Sequence, residues 1–298
     1  MSGFMSSSTS LMVCKADSAA SLGLDALRQH AFTPEIDADG RRLGWVDLGD
    51  PLDTDGFELA SVDARFMGFS FRLDTRKASG AVIRLQLAEA VREEIAAGKK
   101  VGGKRKKELK EAITARLTAR AEFVPSIIDC IWDAEKGRLL VGSASAKAVQ
   151  PVLELFKTTF GMDVTPLTPA GDMPKLFAAI LRGEGYPCEG YTLHPMGSAS
   201  LAASEQAEEK AAVAVQNSLN AVAQALEEGM AIQKLHLVTT SDADSDRQLE
   251  FTLDAGLAVS GLKLPKAEKG AEEDATFLVN ADVCAAVADM VEAFVSIR

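Results

Sequence analysis

Residues 127–161 read IIDCIWDAEKGRLLVGSASAKAVQPVLELFKTTFG, and this stretch decides the fold class. Two apolar runs, 127–132 and 138–143, flank the turn-forming sequence DAEKG, which predicts a β-hairpin. Residues 146–160 then predict a helix, which Gly161 closes. A β-hairpin that leads directly into a helix is typical of an α+β protein.

A pair of helices is predicted just before this stretch, at 80–98 and after the glycine-rich bend 98–103. Apolar residues in each helix fall at a spacing of four, which places them on one side of an α-helix. They are Ile83, Leu87, Val91 and Ile95 in the first helix, and Leu109, Ile113 and Leu117 in the second. We therefore expect an antiparallel helical hairpin, with basic residues around its tip, that projects from the body.

The remaining elements are predicted on both sides of this centre. The predicted strands are 11–14, 58–62, 66–73, 232–238, 249–253, 257–264 and 276–279, and the predicted helices are 20–30, 173–181 and 213–228. Residues 183–212 have a weak pattern that suggests loops or short strands. Asp282 is predicted to cap a last helix that turns Val283, Val287, Val291 and Phe294 inward.

The predicted fold class is α+β, with mixed or antiparallel sheets, packed helices and the basic helical hairpin. We divide the chain near Pro166 and Pro169. An N-terminal α+β domain then covers 1–170 with the hairpin at 80–120, and a C-terminal α+β domain covers 171–298.

Composition predicts a soluble cytoplasmic protein. The chain has 298 residues, of which 47% are apolar, enough for a sizeable core. No segment approaches the roughly 18 consecutive apolar residues that cross a bilayer, and residues 1–10 do not resemble a signal peptide. The cysteines lie far apart and form no C-x-x-C pair, so we expect reduced core thiols at Cys14, Cys130, Cys188 and Cys284.

Charge is distributed unevenly along the chain. The net charge is −11, yet residues 99–120 carry nine basic and two acidic residues, so this segment is +7 and the rest is −18. A protein with such a distribution can present one anion-attracting face. The basic residues are Lys99, Lys100, Lys104, Arg105, Lys106, Lys107, Lys110, Arg116 and Arg120.

No catalytic pattern is found in the sequence. Residues 98–104 read GKKVGGK and match part of a phosphate-binding P-loop, but Arg105 replaces the required Ser or Thr, and the loop follows a helix instead of a strand. The histidines His30, His194 and His236 lie far apart, which favours structural or surface roles over metal binding. We therefore predict no enzyme, no cofactor and no metal site.

Several short stretches resemble the family of the recombination-associated protein RdgC. The likeness is strongest over residues 1–167 and weaker after them, and the order and spacing of the stretches carry it. They are Leu11-Met12-Val13, Ala31-Phe32-Thr33-Pro34, Gly44-Trp45-Val46, the lysine-rich residues 104–115, Trp132-Asp133, Gly137, 141–147, Glu228-Gly229, Lys234-Leu235 and Leu262-Lys263.

The resemblance implies a homodimer closed into a ring around double-stranded DNA, with little sequence preference and a role in restraining the RecA recombinase. It implies a nucleoid-associated protein without catalysis, in which the nine basic residues of 99–120 contact phosphates. Family members carry a Pro-Arg-Ala-Phe run after the basic helix, whose aromatic residue helps hold the ring closed. This chain reads ARAEF at 119–123, so the proline is absent and the phenylalanine comes one residue later. We assign the dimer gate to Phe123.

A second departure leaves another function open. Family members have a basic patch where this chain reads EQAEEK at 205–210, which predicts weaker DNA binding with a lower salt dependence. The alternative is a protein-interaction module on the same fold that contacts a recombination protein with little or no DNA affinity. A nuclease or nucleotidase is a third, more distant alternative, for which no metal-ligand cluster is found.

Overall fold

The structure is a computed structural model that describes residues 3–17, 19–184, 190–203, 213–215, 219–242, 248–266 and 270–295. Its strands are β1 (Ser8–Ala16), β2 (Arg42–Val46), β3 (Phe66–Arg76), β4 (Phe123–Asp133), β5 (Arg138–Val141), β6 (Val164–Pro166), β7 (Tyr191–Ala203), β8 (Val213–Val215), β9 (Met230–Ser241), β10 (Gln248–Asp254) and β11 (Val259–Lys263). Its helices are α1 (Leu24–Gln29), α2 (Gly80–Ala96), α3 (Gly103–Arg120), α4 (Ala146–Phe160), α5 (Met173–Leu181), α6 (Leu219–Glu227) and α7 (Glu273–Ala293). The predicted α+β class is confirmed.

The described strands form an eleven-stranded sheet in the order β2-β3-β4-β5-β1-β11-β10-β9-β7-β8, with β6 paired to β1. Strand β1 lies in its middle and joins β5, from the middle of the chain, to β11, from its last third. Cys14 of β1 is opposite Leu139 of β5, and Thr9 of β1 is opposite Leu262 of β11. Both pairings are antiparallel.

The chain forms two compact units. The larger contains residues 1–31, 45–71 and 128–298, and the smaller contains 32–44 and 72–127. Residues on both sides of the predicted boundary at 170 belong to the larger unit, so these units do not follow that boundary. The division into domains 1–170 and 171–298 stays a prediction.

Helix α7 lies in the core of the larger unit. Eleven of its residues are buried, among them Phe277, Val283, Val287 and Val291. Phe294, just after the helix, is buried as well, so the predicted inward-facing set is confirmed. A helix buried on most of its sides is apolar all round, which is why its sequence lacks the one-sided pattern of a surface helix.

The core also holds the cysteines that the structure describes. Cys14, Cys130 and Cys284 are free and buried, as predicted. Burial raises the pKa of the Cys14 thiol to about 12, so it stays protonated and unreactive at neutral pH. Cys188 lies outside the described residues.

Two predicted strands are wrong because the chain is helical there. Residues 58–62 contain a short 3-10 helix at Glu58–Ala60, closed by i to i+3 bonds such as the one from the Ala60 N–H to the Phe57 carbonyl, 3.1 Å. Residues 276–279 belong to α7, which begins at Glu273. Asp282 therefore lies inside that helix and does not cap it.

Two other regions were predicted with the wrong extent. The helix expected over 213–228 is replaced by β8 at Val213–Val215 and by α6. The weakly patterned region 183–212 contains β7, a strand of 13 residues. β7 pairs with β9 with shifts of register, and such shifts interrupt the strict alternation by which a strand is recognised. Among the described residues, no helix is long and apolar enough to cross a membrane.

Candidate nucleic-acid interface

Helices α2 and α3 of the smaller unit form the predicted helical hairpin, and a glycine closes the first of them. Gly98 has a φ of +79°, a conformation that favours glycine. This turn lets the Lys99 N–H donate to the Glu94 carbonyl, 3.0 Å, as in a Schellman C-cap. Helix α3 starts five residues later at Gly103. That the hairpin projects from the body stays a prediction.

The hairpin is thin and has little core of its own. No residue of α2 is buried, and Ile113 is the buried residue of α3. A groove of about 550 Å³ runs between the helices and is lined by residues including Glu89, Leu109 and Arg116. Because few apolar contacts join the helices, polar contacts across the hairpin contribute to their alignment.

Three of the nine predicted phosphate contacts are already engaged within the hairpin. Arg105 donates to Glu94 of α2, 2.6 Å, and to Glu108, 3.1 Å. Its hydrogen bonds hold the pKa of the Glu94 carboxyl below its usual range. Arg116 donates to the Gln86 side-chain oxygen, 2.8 Å. The Lys107 ammonium lies 3.9 Å from Glu111.

The other six predicted contacts take part in none of these pairs. Within the part of the chain that the structure describes, their side chains make neither ion pairs nor hydrogen bonds. Two lie in the loop between the helices and four lie on α3: Lys99, Lys100, Lys104, Lys106, Lys110 and Arg120. We call these six side chains the open cations, and their contact with phosphates stays a prediction.

The two compact units carry opposite net charge. The smaller unit contains 16 Lys and Arg against 10 Asp and Glu, a net charge of +6. The larger unit accounts for the remaining −17. The segregation of charge that the sequence predicts therefore follows the compact units, and a polyanion is attracted to the smaller one.

Phe123, the predicted dimer gate, is the first residue of β4 and is half-buried. The guanidinium carbon of Arg42 lies 3.9 Å from the centre of its ring, and that of Arg76 lies 4.7 Å away. Sequence reasoning missed both arginines, because they lie 81 and 47 positions before Phe123 and belong to no charge cluster. The role of Phe123 in a dimer stays a prediction.

Two histidines, His194 and His236, are paired with polar side chains on the sheet of the larger unit. His236 contacts Ser198 and Glu250, each at 3.2 Å, and His194 contacts Thr240 at 3.0 Å. No group of three or more His, Cys, Asp and Glu side chains is placed to hold a metal ion in the described ranges. The structural or surface roles of His194 and His236 stay a prediction.

The fold and the charge distribution define an α+β protein with one segregated basic helical hairpin. Comparison with known families matches residues 13–294 to the family described as "Putative exonuclease, RdgC". The chain belongs to this RdgC family, as predicted, and membership supports a role connected with recombination. No curated protein matches the chain.

Proposed function

We propose that this chain binds double-stranded DNA without sequence preference and so modulates recombination. The observation that carries the proposal is the set of six open cations on one hairpin. Lysine and arginine that neutralise phosphates supply the sequence-independent part of DNA affinity. Contacts to phosphates position a protein on a duplex without reading its bases.

The length of α3 suits such contacts. Its 18 residues extend about 27 Å at about 1.5 Å per residue, which matches about eight base pairs at about 3.4 Å each. Lys104 lies at one end of the helix and Arg120 at the other. The helix can therefore reach several phosphates of one duplex.

We also propose that the active form is a homodimer closed as a ring around DNA, gated by Phe123, which restrains RecA at the nucleoid. Membership of the RdgC family supports this part of the proposal. Sedimentation of the purified protein tests the dimer. A ring that encircles DNA would survive a salt wash on a circular duplex and slide off the same duplex after linearisation, whereas equal loss from both would contradict it.

The test of DNA binding neutralises three open cations of α3 in the variant Lys104→Gln, Lys106→Gln, Lys110→Gln. If each contacts one phosphate, the salt slope of log affinity falls by about 0.9 per lost contact, which is about 8-fold in affinity per contact at 0.1 M salt. A matched variant changes three lysines of the larger unit: Lys147, Lys157 and Lys175. We expect it to bind as the wild type does, and equal binding by both variants would overturn the proposal.

We propose further that the protein does this without catalysis and without a cofactor. The family description names an exonuclease, so this part needs a direct test. An end-labelled duplex is incubated with the protein and Mg²⁺ or Mn²⁺, and its length is followed. We expect the duplex to remain intact, and stepwise shortening from its ends would contradict a non-catalytic role.

A protein-interaction module is the second candidate function. It is favoured by the net charge of −17 on the larger unit. It is also favoured by three exposed apolar side chains of α2, Val82, Leu85 and Ile95, which are 40%, 72% and 58% exposed. A pull-down from nuclease-treated extract separates the candidates. A recombination protein retained after nuclease treatment supports direct contact, and one that is lost was bridged by DNA.

A further inference from the structure

Two arginines converge on one aromatic ring in the smaller unit. Arg42 is the first residue of β2, Arg76 is the last residue of β3, and Phe123 is the first residue of β4. These three strands are neighbours in the sheet. Their ends therefore bring two guanidinium groups onto the Phe123 ring, within cation–π distance of 3.9 and 4.7 Å.

Neither guanidinium is neutralised by a carboxylate among the described residues. The Nε atoms of Arg42 and Arg76 are buried without a hydrogen-bond partner. Arg76 donates from Nη1 to the Ala119 carbonyl, 2.8 Å, in the last turn of α3. Both side chains are only half-buried, so the outer edges of the two guanidinium groups remain accessible. No carboxylate among the described residues compensates their charge.

Neighbouring arginines of the same unit show the contrast. Arg41 pairs with Asp37 at 3.0 Å and with Asp39 at 2.6 Å. Arg72 also lies on an aromatic ring, that of Phe32 at 4.1 Å, but it bonds both carboxylate oxygens of Asp74 at 3.0 Å. These two arginines each have a carboxylate partner. The two arginines stacked on Phe123 have none among the described residues.

We infer that Arg42 and Arg76 form a phosphate-binding site for the nucleic-acid backbone, with Phe123 as the residue that positions them. A guanidinium that stacks on an aromatic ring keeps its in-plane N–H groups clear of the ring. Because Nε of each arginine is buried, the terminal Nη groups are the donors that can reach phosphate oxygens. Holding the long side chains in place beforehand lowers the entropy lost on binding. The inference rests on the proposed DNA binding and extends it to residues outside the lysine-rich segment.

The position of the site fits this use. The bond from Arg76 to Ala119 places it at the C-terminal end of α3, next to the open cation Arg120. Lys104, at the start of α3, lies 15 residues before Ala119, which is about 22 Å at about 1.5 Å per residue. Phosphates bound at the two ends of the helix would therefore belong to well-separated steps of one duplex.

The first experiment compares Arg42→Gln and Arg76→Gln with Arg41→Gln, in binding to a short duplex across a salt series. Each of the first two variants should lower the salt slope by about 0.9 and the affinity by about 8-fold at 0.1 M salt. Arg41→Gln removes the same formal charge from a paired residue and should bind as the wild type does. Equal losses in all three would show a general charge effect and would overturn the site.

The second experiment separates positioning by Phe123 from a gate between protomers. Phe123→Leu should weaken DNA binding, and Phe123→Trp should preserve it. Arg42→Gln should lower the DNA affinity less in the Phe123→Leu background than in the wild type, because the two residues act together. Additive losses in the double variant would overturn the positioning role, because residues that act independently show no coupling.

The phosphate site and the proposed DNA binding can fail separately. If Lys104→Gln, Lys106→Gln, Lys110→Gln loses DNA affinity while Arg42→Gln and Arg76→Gln do not, the phosphate site is wrong and the proposed function stands. If the wild type binds no duplex at low salt, the proposed function itself is wrong. Thermal unfolding of each variant, compared with the wild type, shows that a loss of binding is not a loss of fold.

Discussion

Arg105 of α3 donates a 2.6 Å hydrogen bond from Nη2 to Oε1 of Glu94 on α2. From the sequence this arginine was predicted to contact phosphate together with eight other basic residues. In the structure its charge is opposed by Glu94 and Glu108. Basic residues of one cluster can thus differ in role, with Arg105 aligning the two helices while the open cations stay available to an anion.

The first prediction follows from that contact. Arg105→Gln should lower the thermal stability of the hairpin and change the salt slope of DNA binding less than Lys104→Gln does. The reason is that Arg105 already gives its donors to carboxylates, whereas Lys104 has no partner among the described residues. Anisotropy titrations across a salt series check this, and a larger change of slope for Arg105→Gln would contradict it.

The second prediction concerns the pH dependence of stability through Asp129. Burial raises the pKa of this carboxyl, against hydrogen bonds from the Phe4 N–H and the Ser70 hydroxyl that lower it. The folded state then binds the proton more tightly than the unfolded state. The stability that protonation contributes is complete below the ordinary value of 3.8 and is lost as pH rises through the raised value.

Asp129→Asn removes this titrating group. Urea unfolding between about pH 4 and about pH 7 should therefore show that wild-type stability falls with rising pH relative to the variant. The difference in the free energy of unfolding between the two proteins cancels the contributions of the other carboxylates, which both proteins share. If the free energies of unfolding of the two proteins changed in parallel with pH, protonation of Asp129 would not be linked to folding.

The third prediction concerns Arg138, which is fully buried and joins the β4–β5 hairpin to α7. It bonds Asp133 at 3.1 Å, Asp289 at 2.7 Å and the Ala285 carbonyl at 3.1 Å. Removing one partner of a buried ion pair typically costs about 3–5 kcal/mol, so Arg138→Met should lower the free energy of unfolding by about that amount. Urea denaturation measures the loss.

A surface ion pair nearby provides the control. Lys15 lies 3.6 Å from Glu292 and is 42% exposed. Lys15→Gln should cost at most about 1 kcal/mol, the upper range for exposed pairs. Comparable losses in Lys15→Gln and Arg138→Met would show that the Arg138 network does not stabilise the core as described.

The fourth prediction concerns the close approach of β3 and α7. A methyl group on Gly68 would lie 2.6 Å from Cε2 of Phe277 and 3.0 Å from Leu48. Gly68→Ala should therefore destabilise the protein by about 1–3 kcal/mol through overpacking. Gly80→Ala is the matched change, since no atom lies within 4 Å of its added methyl group, and it should be neutral or slightly stabilising. Equal effects would contradict this packing.

The sequence predicted those elements whose signals are local. Helix α4 was predicted at its observed bounds, because Gly161, with a φ of +65°, ends it. The hairpin helices followed from glycines and apolar spacing. The strand prediction for residues 276–279 was wrong. Thr276 and Val279 favour strands, but burial of Phe277 in the core keeps residues 276–279 in α7.

The part of the candidate site made of basic residues adjacent in sequence was predictable. The part that depends on tertiary contacts between distant residues was not. The lysine-rich segment is visible at once, but which of its members are neutralised depends on Glu94 and Gln86 of the other helix. The contact of Arg42 with Phe123 joins residues from different strands. Such pairs have no signature in a single sequence, because a strand specifies its own pattern and not its neighbours.

The salt dependence of DNA binding by the wild-type protein tests the central claim most directly. Fluorescence anisotropy with two short duplexes of unrelated sequence, titrated from low to physiological salt, gives the affinity and its slope. The account predicts steep loss of affinity with salt, alike for both duplexes, as expected when several phosphates are neutralised. Absence of binding at low salt, or binding to one duplex alone, would contradict it.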